Sequence, residues 1–139
     1  MKKIVLIISI FLYAVTPTSI MAKEYGINCP KAEEIMKTSS QEKEDLLRAL
    51  QTIIPEMYDD RTEYKEWRVE VLSPMVDLSG YEKIYRDMAV HFCGENVANH
   101  SWFVRIRFPH LLPAQSASLG ELFILKNNQG QWFPWFRYH

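Results

Sequence analysis

Ser101-Trp102-Phe103-Val104-Arg105-Ile106-Arg107-Phe108 is the most regular stretch of the chain, and its reading decides the fold. On an extended backbone successive side chains point to opposite sides. Trp102, Val104, Ile106 and Phe108 then share one face, while Phe103, Arg105 and Arg107 share the other. The segment reads as a central antiparallel strand with one dry face and one cationic, partly aromatic face. The dry face demands an apolar cover.

That cover lies upstream. Ser39 followed by Glu42 has the spacing of a capping box, and Leu46, Leu47, Leu50, Ile53, Ile54 and Met57 then recur every three or four residues. The pattern predicts an amphipathic helix that ends or kinks at Pro55, which lacks a backbone donor. Ala32 to Lys37, opened by Pro30, reads as a shorter helix before it.

From Glu66 the period changes to two. Trp67, Val69 and Val71 alternate with Arg68 and Glu70 in a first strand that Ser73-Pro74 closes, and Asp77-Leu78-Ser79-Gly80 forms a turn. Tyr81 to Cys93 fits both periods. Its β-rich end and the Gly94-Glu95-Asn96 turn favour a strand from Ile84, with Ile84, Arg86, Met88, Val90 and Phe92 on one face and Tyr85, Asp87, Ala89, His91 and Cys93 on the other. Beyond the central strand, Pro109 to Gly120 reads as a long connection. Glu121 to Lys126 and Gln131 to Tyr138 form a hairpin around Asn127-Asn128-Gln129-Gly130, and Pro134 places the last strand at an edge or in a bulge.

The fold class is therefore α+β: N-terminal helices packed on a twisted antiparallel sheet of about four to five strands. This element order is similar to that of cystatin-like and NTF2-like domains, in which a curved sheet wraps a helix. The likeness is one of topology.

The first 22 residues stand apart. Lys2 and Lys3, an apolar run from Ile4 to Val15, a polar break and the small residue Ala22 read as a signal peptide, too short in its apolar run to span a bilayer. Residues 23–139 then form one exported domain, in the bacterial periplasm or secreted, with no membrane anchor after cleavage. Two cysteines in an oxidising compartment read as a Cys29–Cys93 disulfide.

Charge is unevenly distributed. From Ser101 onward Arg105, Arg107, Lys126 and Arg137 face Glu121 alone, whereas the preceding part is acidic. Arginine reads planar anions with two parallel hydrogen bonds, and aromatic rings stack on flat ligands, so Phe103, Arg105, Arg107, Trp135 and Arg137 are the candidate ligand-binding residues. The segment from Gln131 to His139 crowds five aromatic rings that one buried face cannot all occupy. The first reading is a non-catalytic binding or interaction domain for an unknown protein or a small-molecule or carbohydrate ligand; a homodimer through the sheet face is the alternative use of the same surface.

The second reading is a small pocket enzyme, a hydrolase or isomerase, with Asp87 and His91 as acid and base. The third is an inhibitory or structural partner protein that inserts its 109–120 loop into a target. No basic run supports nucleic-acid binding, no histidine pair has metal-ligand spacing, and no motif calls for a cofactor.

Overall fold

The structure, a computed structural model, describes residues 27–139; the expected signal peptide lies outside them. The main elements run α1 (Lys43–Met57), β1 (Arg68–Pro74), α2 (Lys83–His100), β2 (Trp102–Arg107), β3 (Leu119–Lys126) and β4 (Trp132–Arg137), joined by short 3-10 turns. The strands pair antiparallel in the order β1-β2-β3-β4. The fold is α+β, with a sheet of four strands.

Helix α1 begins as its capping residues require, the Ser39 N–H donating to the Glu42 carboxylate over 3.0 Å. Its stripe Leu46, Leu50, Ile53 and Ile54 is buried against Trp102, Val104, Ile106 and Phe108 of the central strand and Leu122 and Ile124 of β3. Each such side chain contributes about 1.5–3 kcal/mol on burial. The helix does not stop at Pro55 but runs on to Met57. Pro55 is exposed in the last turn, and the backbone acceptor it deprives of a partner belongs to Gln51, which is exposed too.

Residues 83–100 are helix, which corrects the strand expected from Ile84 onward. In the helical period Tyr85, Met88 and Ala89 turn toward the sheet, while Ile84, placed inside by the strand reading, is 60% exposed. The reason is tertiary. Phe103 and Phe123 are fully buried on the sheet face opposite α1, and α2 with Met75 covers them. The Arg105-bearing face is therefore roofed rather than open.

Helix α2 is broken at Gly94, whose φ of 84° and ψ of 169° lie in a region that favours glycine. Cys93, just before the break, is bonded to Cys29, with Cα atoms 5.4 Å apart. The disulfide forms as expected but ties the N-terminal arm to a helix, not to a strand. The arm also pairs with the β3–β4 hairpin: Met36 N–H donates to the Lys126 carbonyl, and Asn128 N–H to that of Glu34.

Two bulges set which side chains meet which layer. Val69 faces Ile106 and Val71 faces Arg105, so Glu70 is an extra residue; Val69 then joins the α1 side and Val71 the α2 side, not one common face. On β4, Phe136 faces Phe123 and Pro134 faces Ile124, leaving Trp135 as the extra residue. Pro134 thus sits in an edge strand beside a bulge, as its missing donor requires.

Gly120, where β3 passes under α1, has Tyr58 Oη in the space a methyl group would fill and Ile106 Cγ1 2.9 Å from it. Gly120→Ala is expected to lower stability by about 1–3 kcal/mol through overpacking, measured as a fall in the urea midpoint at unchanged m-value.

Candidate functional site

Antiparallel pairing sets Arg105 of β2 opposite Glu121 of β3. Arg105 Nε donates to Glu121 Oε1 at 3.0 Å, Nη1 to Glu82 Oε1 at 3.1 Å and Nη2 to Tyr85 Oη at 3.1 Å, while the Tyr85 hydroxyl donates to the Glu121 carboxylate. The Tyr85 ring stacks on Phe103 at 4.2 Å, and the guanidinium lies over both rings. The Glu121 side chain is only 4% exposed and that of Arg105 19%. Burial works against the Arg105 charge, but its hydrogen bonds to Tyr85, Glu121 and Glu82 overcome it and hold its pKa above the ordinary value. Burial and the bond to Glu121 raise that of Tyr85.

The other candidate residues are distributed differently. Phe103 is fully buried. Arg107 is paired with Glu70, whose carboxyl it holds below its usual range. Arg137 donates to the Met57 carbonyl at the end of α1 and lies over the Tyr58 ring; among the described residues no carboxylate pairs with it. Trp135 packs on Phe123 and Phe136 and donates from its indole N–H to Ser101 Oγ at 3.0 Å. The fold thus does not bring the five together on one exposed surface. Asp87 and His91 are one turn apart on α2, closer than the strand spacing implied, but Asp87 is paired with Lys83 and both lie on the exposed side.

One exposed surface gathers aromatic and polar groups. Two neighbouring cavities of about 340 and 370 Å³ have Phe133 and Glu34 in common among their lining residues. One wall is the disulfide-bonded arm, Asn28 to Lys31 with Glu34; the other is the hairpin turn Asn127 to Gln129 and the Phe133-Pro134-Trp135 segment of β4. Trp135 is the one residue of the expected set that lines this groove. Phe133 pairs with Leu125 across the hairpin and belongs to neither buried cluster, so its ring is spared from the core.

Beside the groove lies a cluster that sequence reasoning missed. Lys126 Nζ donates to Glu42 at 2.7 Å and Asp45 at 2.8 Å, and the Trp132 indole N–H donates to Asp45 at 2.8 Å. It holds the start of α1 against the hairpin. A signal for the buried pairs was present in Glu121, a lone carboxylate in front of the apolar run Leu122 to Leu125. A carboxylate so placed needs a cation from a neighbouring element.

No family model, no curated protein and no solved structure matches the chain.

Two predictions follow from these ion pairs. Arg105→Ala strands Glu121 in the interior and is expected to cost about 3–5 kcal/mol in denaturant unfolding, whereas Arg105→Met combined with Glu121→Leu recovers much of that loss. The Asp45 carboxyl is held at about 2, first by Lys126 and then by Trp132. A depressed carboxyl contributes its stability above its unfolded pKa and loses it as pH falls through the folded value. Melting temperature should therefore fall between about pH 4 and pH 2 more steeply in the wild type than in Asp45→Asn.

Proposed function

We propose that this chain is an exported, non-catalytic binding domain whose ligand lies in the groove between the N-terminal arm and β4. One observation carries the reading: aromatic side chains of a bulged edge strand face a wall of chain that a disulfide holds in place. A half-exposed ring beside an immobilised polar wall is the composition of a ligand cleft, in which apolar surface supplies affinity and a few polar groups supply orientation. A wall already held by a covalent bond also loses less entropy when the ligand arrives.

Export is the companion part of the proposal. The basic and apolar leader supports it, and a disulfide linking two distant segments is at home in an oxidising compartment. The arginines expected to read a ligand are engaged instead within the fold, Arg105 by Glu121 and Glu82 and Arg107 by Glu70. With those cations neutralised, no strong field for nucleic acid supports that class of partner. A homodimer remains the competing use of the exposed aromatic surface.

Phe133→Ala tests the reading, because this ring lies outside both buried clusters and its loss should leave stability within about 1–2 kcal/mol of wild type. The oxidised domain, recovered from the compartment to which it is exported, should retain a bound mass in native mass spectrometry that the Phe133→Ala variant lacks. Equal retention by both proteins, or a doubled protein mass in both, overturns the groove.

A further inference from the structure

We propose that the ligand of the arm groove is a neutral oligosaccharide. The inference rests on the groove assignment above and adds the chemical class. Its basis is the balance of charge and hydrogen-bonding groups around the cavities. The charged side chains among their lining residues are Lys31 and Glu34, which lie 3.9 Å apart and offset one another. The remaining polar lining is amide: Asn28, Asn127, Asn128 and Gln129.

These amides are not equivalent. Asn127 is committed to the turn, its Oδ1 accepting from the N–H groups of Gln129 and Gln131 and its Nδ2 donating to the Gln131 side chain. Asn128 donates from Nδ2 to the Glu33 carbonyl, which directs its Oδ1 away from that bond. Asn28 and Gln129 make no side-chain hydrogen bond among the described residues, so each offers a carbonyl acceptor and an amino donor together. A sugar hydroxyl is donor and acceptor at once, and an amide is an uncharged side chain that meets both roles.

The aromatic component completes the match. The carbon face of a pyranose ring is apolar and flat, its edge is ringed by hydroxyls, and Phe133 lines both cavities together with these amides. An anionic ligand would meet Glu34 with only one lysine in compensation, and a cationic one would meet Lys31. A neutral polyhydroxylated chain meets neither penalty.

The test uses the full mature, oxidised domain. Neutral tetrasaccharides of glucan, xylan and chitin type, together with tetragalacturonate and a proline-rich decapeptide, are titrated by calorimetry into wild type, Phe133→Ala and Asn28→Ala. At least one neutral tetrasaccharide should bind in the micromolar to millimolar range and weaken about tenfold or more in each variant. Tetragalacturonate should bind more weakly than the best neutral chain. Preference for tetragalacturonate overturns neutrality, and binding only of the peptide, lost in Phe133→Ala, overturns the sugar class while leaving the groove in place. If the neutral chain binds wild type and Phe133→Ala equally, or none binds and the native ligand is also indifferent to Phe133, the groove reading fails with it.

Discussion

The central pair of strands, β2 and β3, is apolar on both faces. Trp102, Val104, Ile106, Leu122 and Ile124 point one way, and Phe103 and Phe123 the other, all essentially without exposure. A sheet of this kind cannot leave either face in water, so two helical layers are required, and their order in the chain sets the topology. Helix α1 arrives before the sheet. Helix α2 is inserted between β1 and β2, so the chain crosses from one edge of the sheet over its second face before adding the central strand.

Roofing the second face determines the use of its charges. An arginine beneath a helix cannot keep its water, and Arg105 is accommodated because Glu121 stands opposite on the next strand, Glu82 reaches in from the start of α2, and the Tyr85 hydroxyl bridges Arg105 and Glu121. Lys126 plays the corresponding part on the other side, where Glu42 at the N-cap of α1 and Asp45 in its first turn reach it. The basic end of the sequence and its acidic beginning are thus complementary halves of interlayer contacts. Breaking one partner is far more costly than exchanging both for apolar groups, which makes these pairs determinants of how the layers register.

The irregularities shape the surface that remains. An extra residue at Trp135 lets Trp135 and Phe136 both reach the α2-side cluster, while Trp132 serves the α1 side and Phe133 is left at the edge. The crowded aromatic ending is divided between two cores and a groove. The opposite wall exists because Cys29 is bonded to Cys93 where α2 breaks at Gly94, bringing the arm back across the sheet's end. Edge strand, bulge and disulfide together produce an aromatic concavity that no single element contains.

Local signals alone determined α1 with its capping residues, the alternation of β2, the Asn127–Gly130 hairpin and the edge position of the strand that carries Pro134, because caps, periodicity and turn residues act over a few positions. The pairing of Cys29 with Cys93 was also legible from the even cysteine count and the export that the leader led us to expect. What only the tertiary structure decided was whether Tyr81 to Cys93 would obey a period of two or of 3.6, because both were written in the same residues and the second aromatic face of the sheet, which needs a cover, selected the helix. The bulges at Glu70 and Trp135, the burial of Arg105 and the groove beside Phe133 belong to that second category. Each depends on which face a neighbouring layer covers, and that is settled by residues far apart in the chain.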